Sequence, residues 1–158
     1  MARKKNRDTK SAKRQQNPRR RARELALQFL YQLTVQKGEN LDQLEPFLAE
    51  FGSDDQDREL ARAWIRGAWQ NQQKIDTMVQ NVSSNWDLNR ISMVDRNNLR
   101  LAVYQMLYQP EIPTKVVINE AIELSKIFST AQSSSFINGL LDTIQHNINT
   151  DANNSESP

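Results

Sequence analysis

The residues with the clearest potential for chemistry are the cations at the start of the chain. Residues 1–23 contain eleven of the 21 Lys and Arg but only one acid, Asp8, so their net charge is +10, whereas that of residues 24–158 is −8. Such a run can bind a polyanion, and nucleic acid is the first candidate. The alternatives are a solvated tail, a localisation signal and a membrane-surface segment. Residues 1–16 contain no Trp, Phe, Leu or Ile that could enter a bilayer, so we expect no membrane binding.

The last four cations of this run are predicted to lie in the first turns of a helix: Arg19, Arg20, Arg21 and Arg23. On a helix, guanidinium groups are held more rigidly than on a flexible arm and can make bidentate contacts with particular phosphates. The helix dipole disfavours cations at a helix N-terminus, so local stability does not explain the cluster. An anionic ligand is the simplest explanation.

Side chains for catalysis are hard to assemble from this sequence. The single histidine, His146, falls at the end of the last predicted helix, and the four glycines stand apart, so no phosphate-binding loop is present. Asp54, Asp55 and Asp57 lie at a predicted helix start, where capping accounts for them. Metal-dependent chemistry on surface acids is the remaining enzymatic alternative. We therefore expect a binding protein rather than an enzyme, with no metal and no cofactor.

Length and composition predict one folded domain between two polar ends. The absence of cysteine excludes disulfides and thiolate metal sites and is consistent with a reducing compartment. No apolar run is long enough to span a membrane, and the N-terminus lacks the apolar stretch of a secretory signal, so we expect a cytoplasmic protein. We predict a disordered basic arm over residues 1–17, a helical domain over 18–147 and a disordered tail over 148–158.

The folded part has apolar residues at helical spacing and no alternating strand pattern. Pro18 marks a helix start, Gly38 a helix end, and Ser92 followed by Asp95 resembles a capping box. The predicted helical segments are 18–37, 41–51 with a break or restart at Pro46, 54–82 with a bend within 71–74, 92–109, 114–128 and a last helix carrying Phe136 to Ile144. The expected fold class is all-α, a compact multi-helix bundle.

Several separate motifs form a recognisable pattern along this chain. They are RRRARELALQFLY at 19–31, WDLNRI at 86–91, VDR at 94–96, LRLAVY at 99–104, Ile112-Pro113, VINEAIELSKIF at 117–128 and FINGLLD at 136–142. Together they closely resemble the NusB family of bacterial transcription antitermination factors. The resemblance covers about residues 18–146, and the INEA motif followed by F-I-N-G is its most specific part.

The resemblance implies an all-helical domain of two packed subdomains that binds the boxA element of nascent, single-stranded ribosomal RNA. NusB proteins do this with NusE, a small-subunit ribosomal protein, in an antitermination complex on RNA polymerase. The same fold forms the RNA-binding module of a ribosomal RNA methyltransferase, but there a large cofactor-binding domain follows, and this chain ends at residue 158. A helical protein-interaction module that binds nucleic acid non-specifically is the other alternative.

The resemblance also implies roles for individual residues. The expected RNA-binding residues are Arg19, Arg20, Arg21 and Arg23, the arm residues Lys13 and Arg14, and the aromatic residues Phe128 and Phe136. An aromatic at helical spacing commonly belongs to the core, but either phenylalanine becomes a base-stacking platform if it is partly exposed. Tyr31 and Asp95 are expected to face NusE, and Asp95 can also serve in the helix cap. Asn119, Glu120, Asn138 and Gly139 are assigned to architecture, with Gly139 allowing a neighbouring helix to approach closely.

The chain departs from the family pattern in two places. Before the second aromatic the family typically has the form D-S-H-K-F, whereas this chain has QSSSF at 132–136. A cation that could contact RNA is therefore missing there, and we expect the basic arm to replace it. In addition, Gln105 stands where the family commonly has Glu, which removes a partner for a local salt bridge.

Overall fold

The computed structural model describes residues 18–83 and 90–155, and within them it contains seven α-helices and no strand. The helices are α1 (Pro18–Val35), α2 (Leu44–Phe51), α3 (Asp55–Gln70), α4 (Gln72–Val82), α5 (Met93–Tyr108), α6 (Thr114–Phe128) and α7 (Ala131–Ser155). A 3-10 turn, Leu41–Gln43, precedes α2. The predicted all-α class is confirmed.

The helices pack in two groups that share one core. Helices α1, α2 and α3 pack against one another, and α4 to α7 form the second group. Helix α5 joins the groups because α1 and α3 both pack on it. The expected arrangement of two packed helical subdomains is confirmed.

Helix α1 buries the face that the apolar spacing predicted. Its buried residues include Ala22, Leu25, Ala26, Phe29, Leu30 and Leu33. The Phe29 ring lies 5.1 Å from that of Phe47 in α2, which joins the two helices. Each large apolar side chain buried in this way stabilises the fold by about 1.5–3 kcal/mol.

The end of α1 depends on a left-handed turn. Lys37 has a φ of 55° and Gly38 a φ of 81°, and the Gly38 N–H donates to the Leu33 carbonyl over 2.8 Å. Glycine adopts this conformation without the steric cost of a side chain. A Cβ at Gly38 would also lie 2.9 Å from the Trp69 ring. The helix therefore ends near Gly38, as predicted, although its last helical residue is Val35 rather than residue 37.

Three other local predictions can be compared with the structure. The Ser92 hydroxyl accepts a hydrogen bond from the Asp95 N–H over 3.2 Å, which confirms the helix cap. The run over 54–82 is interrupted at Asn71, within the predicted bend. Pro46 does not break α2, because it lies in the first turn, where a missing N–H costs no helical hydrogen bond.

The C-terminal part of the chain differs from the prediction. Helix α7 continues to Ser155 and so includes residues 148–155, which we expected to be disordered. Ile148 packs against the core and extends the apolar stripe of the helix beyond Ile144. The expected role of Gly139 is wrong, because a Cβ added there meets no atom within 4 Å.

A buried arginine joins three helices at the centre of the molecule. Arg100 of α5 makes a bidentate ion pair with Asp76 of α4, with both N–O distances 2.8 Å. Its Nη1 donates to the Thr34 hydroxyl of α1 and to the Asn97 side chain, each over 3.2 Å. Because the buried charge has acceptors on all sides, its burial is compensated.

Candidate nucleic-acid interface

Arg20 is a partly exposed cation held in a fixed orientation. Its Nε and Nη2 donate to the two carboxylate oxygens of Glu120 in α6, both over 3.0 Å. The Arg20 side chain is 37% exposed, whereas that of Glu120 is 9% exposed. The hydrogen bonds to Glu120 raise the pKa of Arg20 above its ordinary value. Arg20 therefore presents a permanent and oriented charge at the surface.

Arg21 is also exposed and held at two points. Its Nη1 pairs with Glu24 over 3.1 Å, and its Nη2 donates to the backbone carbonyl of Phe51, the last residue of α2, over 2.9 Å. Arg19 is partly exposed, and no ion pair within the described part of the chain involves it. The first turn of α1 thus carries three partly exposed cations, Arg19, Arg20 and Arg21, and we call the surface around this helix start the charged surface.

Arg23 does not belong to that surface, and its expected role in RNA binding is not supported by its position. Only 2% of the residue is exposed. The guanidinium lies over the Trp64 ring, 5.2 Å from its centroid, and Nε donates to the Gln105 side-chain oxygen over 3.3 Å. Burial lowers the pKa of Arg23 to about 10. Arg23 lies three and seven residues before the core residues Ala26 and Leu30, but Arg19 stands in the same relation to Ala22 and Ala26 and is partly exposed, so this spacing alone does not predict which arginine is buried.

An apolar groove of about 410 Å³ lies beside the arginine surface. It is lined by Leu27, Gln28, Tyr31, Gln32, Phe47, Phe51, Val94 and Phe128. Tyr31 is 40% exposed, and the exposed Phe51 ring packs against that of Phe47 in a tilted arrangement, with the ring centroids 5.1 Å apart. Phe51 also carries the carbonyl that binds Arg21, so the groove and the charged surface meet at the end of α2. This shape and composition suit an apolar side chain of a protein partner.

The two phenylalanines predicted to contact RNA are both partly exposed and both pack against the core. Each ring therefore has the partial exposure that a base-stacking platform requires. The structure places Phe128 in the groove with Tyr31, so residues assigned to RNA and to the protein partner share one surface.

Asp95 lies at the start of α5, next to the groove residue Val94, and is 6% exposed. Its Oδ2 accepts a hydrogen bond from the Ser133 hydroxyl over 2.7 Å. Its Oδ1 is buried and has no hydrogen-bond partner within 18–83 and 90–155. Ser133 belongs to the QSSSF segment and stands where the family form also has serine, so this contact does not involve the positions that depart from the family pattern.

The basic arm, with Lys13 and Arg14, lies outside the described residues. Within the described residues, no group of three or more His, Asp and Glu side chains could hold a metal ion. No helix in the same part of the chain has the length and apolar character needed to cross a membrane.

The residues that sequence reasoning missed are those that meet the arginines. Glu120 was assigned to architecture, although its carboxylate holds Arg20. Trp64, which lies against Arg23, and the groove residues Phe47, Phe51 and Val94 are not distinguished by the sequence from other apolar residues of the helices. No local signal marks these contacts, since Arg20 and Glu120 are 100 positions apart in sequence.

Known proteins with similar sequences all point to one family. The sequence matches the NusB family over residues 20–146. A transcription antitermination protein NusB from Desulforamulus reducens is 46% identical over 129 residues, which cover 82% of this chain and 90% of that protein. A protein of the same name from Anaeromyxobacter dehalogenans is 44% identical over 127 residues, or 80% of this chain and 89% of that protein.

Solved structures agree with the sequence relatives. NusB from T. maritima has a TM-score of 0.74 and 41% identity, covering 82% of this chain and 91% of that one. A chain from a complex of NusB and NusE with double-stranded RNA also has a TM-score of 0.74, covering 81% of this chain and 96% of that one. Its identity is 22%, so this second likeness concerns the fold alone. With a family match over most of its length and relatives above 40% identity, the chain belongs to the NusB family.

Proposed function

We propose that this protein is a transcription antitermination factor that binds the boxA element of nascent ribosomal RNA together with NusE. It would act within an antitermination complex on RNA polymerase. The activity is binding, and we assign no reaction to it. A factor that acts on a bacterial transcript works in the cytoplasm, which is where we place it.

The observation that carries this proposal is the charged surface at the start of α1. Arg20 and Arg21 are exposed there, yet each is oriented by internal acceptors. Oriented guanidinium groups can hold phosphates of a single strand in a defined register, whereas cations on a flexible tail supply only general attraction. Phe128 and Phe136 provide partly exposed rings on which splayed bases can stack.

The adjoining groove supports a role for the protein partner. Tyr31 is exposed at the groove, whereas Asp95, next to the groove residue Val94, is buried and offers a partner little direct contact. We infer that NusE covers this groove and that RNA crosses the neighbouring arginines. Because the two surfaces meet at Phe51, an RNA strand could contact both proteins at once. Each ligand would then strengthen binding of the other by the same factor.

The test compares two arginines that have similar surroundings but lie on different parts of the surface. Arg20 and Arg62 are each 37% exposed in their side chains, and each makes a bidentate pair with a glutamate. We expect Arg20→Ala to weaken binding of boxA-like RNA by about 10- to 150-fold and Arg62→Ala to leave it unchanged, since one charge-assisted contact is worth about 1.5–3 kcal/mol. Fluorescence anisotropy with boxA-like and scrambled RNA, with and without NusE, measures both effects. Equal binding of the two RNAs by the parent protein would refute the proposal.

A further inference from the structure

The ion pair between Arg20 and Glu120 places an acidic residue next to the cations of the charged surface. Glu120 brings a negative charge to the side of the molecule on which we propose that RNA binds. Its side chain is almost buried, and its two oxygens accept from Nε and Nη2 of the same guanidinium. A carboxylate beside a polyanion site opposes binding through its charge, so its presence needs another reason.

The geometry supplies that reason. A bidentate pair with a carboxylate fixes the plane and rotation of the guanidinium, which a single hydrogen bond would leave free. The Nη1 edge makes no hydrogen bond with any residue that the structure describes, and it lies on a side chain that is 37% exposed. A phosphate that approaches this edge meets donors that are already oriented, so less side-chain freedom is lost on binding.

We propose that Glu120 is a positioning residue for RNA recognition. It holds Arg20 so that the Nη1 edge faces a phosphate of the bound strand, and it does so from α6. This inference rests on the proposed function and goes beyond it, because it gives an acidic residue, Glu120, a role in the RNA specificity of the site. The same carboxylate acts on the charge of Arg23, whose pKa it raises against the effect of burial.

The neighbouring acid Glu123 offers a matched control. It lies one turn further along α6, pairs with Lys126 over 3.2 Å, and its charge also raises the pKa of Arg20. It makes no hydrogen bond to the Arg20 guanidinium within the described residues. Glu123→Gln therefore removes one negative charge from this region and leaves the Arg20 guanidinium in place. Glu120→Gln removes one negative charge and also breaks the bidentate pair that holds Arg20.

The experiment measures affinity for boxA-like and scrambled RNA over a range of salt concentrations for the full-length parent and both variants. We expect Glu120→Gln to weaken boxA-like binding by about 3- to 10-fold while leaving scrambled RNA unchanged or slightly tighter. Glu123→Gln should keep the parent's ratio between the two RNAs. If Glu120→Gln keeps that ratio too, the positioning role is overturned. A parent without preference for boxA-like RNA would overturn the proposed function and this inference together.

A second variant tests the positioning role without touching the buried acid. Arg20→Lys keeps the positive charge but cannot form the bidentate pair, so we expect the same loss of discrimination with an almost unchanged salt slope. In the double variant Arg20→Lys with Glu120→Gln, no further loss should follow, because both changes remove one interaction. Circular dichroism and thermal unfolding monitor the fold throughout. Full discrimination by Arg20→Lys would overturn the proposal even if Glu120→Gln failed to fold.

Discussion

Replacing Gln105 by glutamate should stabilise the folded protein, because it gives the buried Arg23 guanidinium a carboxylate partner. Among the described residues, the Arg23 guanidinium contacts the neutral Gln105 oxygen, at 3.3 Å from Nε, and the Trp64 ring, and it forms no ion pair. Its Nη2 is buried without a hydrogen-bond partner among the described residues. Gln105 is itself buried, so a carboxylate there would face Arg23 through little water.

The magnitude follows from the pKa of Arg23. Burial lowers this pKa from its ordinary value to about 10, and each pKa unit corresponds to about 1.4 kcal/mol. Keeping the guanidinium charged inside the protein therefore costs about 3 kcal/mol at neutral pH. A carboxylate at position 105 must itself be desolvated, so we expect a net gain of about 1–2 kcal/mol. For a chain of this size that corresponds to a rise in Tm of about 2–8 °C.

The sign of the pH dependence gives a sharper test. Beside Arg23, the pKa of the new carboxyl should be lower in the folded than in the unfolded protein. Its stabilisation is then fully present above the unfolded value of about 4.3 and is lost as pH falls through the folded value. Arg23 of the parent behaves differently at high pH. Its folded pKa of about 10 is lower than its ordinary value in the unfolded chain, so the free energy of unfolding rises as the pH increases above about 10.

Urea unfolding of the parent and Gln105→Glu at pH 7 and pH 3 measures these differences. The Arg23→Met background is the control, because there the new carboxylate has no cation to pair with and should destabilise the protein. A lower stability of Gln105→Glu at pH 7 would refute the expected pairing with Arg23. A gain that is the same at both pH values, or that persists in the Arg23→Met background, would refute it equally.

Three further predictions concern packing, the protein partner and the arm. Gly67→Ala should lower the free energy of unfolding by about 1–3 kcal/mol, because a Cβ there overlaps the Tyr104 ring. Gly139→Ala should raise it by about 0.5–1 kcal/mol, because alanine favours the helix and a Cβ there meets no neighbour. Thermal unfolding measures both effects. Tyr31→Ala should weaken NusE binding, measured by calorimetry, at least tenfold. Tyr108→Ala is the control, because it removes a similarly exposed ring (38% against 40%), and it should leave binding unchanged. Equal effects of the two changes would exclude the groove as the NusE-binding site. Deleting residues 1–16, which carry seven cations, should lower the log–log salt slope of RNA binding by roughly 0.7 for each phosphate that the arm neutralises, and an unchanged slope would show that the arm neutralises none.

The sequence by itself determined the helices and the family. Apolar spacing located the buried face of α1, and local capping chemistry located its ends and the start of α5, because these signals depend on residues a few positions apart. The tail was the exception: residues 149–155 are polar except for Ala152, yet they continue α7 after Ile148 reaches the core. Polar composition alone does not reveal that one apolar contact extends a helix.

Only the tertiary structure decided which arginines face the solvent. Arg20 and Arg23 stand one helical turn apart with the same local chemistry, but one meets Glu120 at the surface and the other meets Trp64 and Gln105 inside. Their hydrogen-bond partners lie 100 and 82 positions away. Whether an arginine is buried or exposed depends on how much solvent reaches it and on which acceptors lie around it. Both are set when distant segments of the chain pack together.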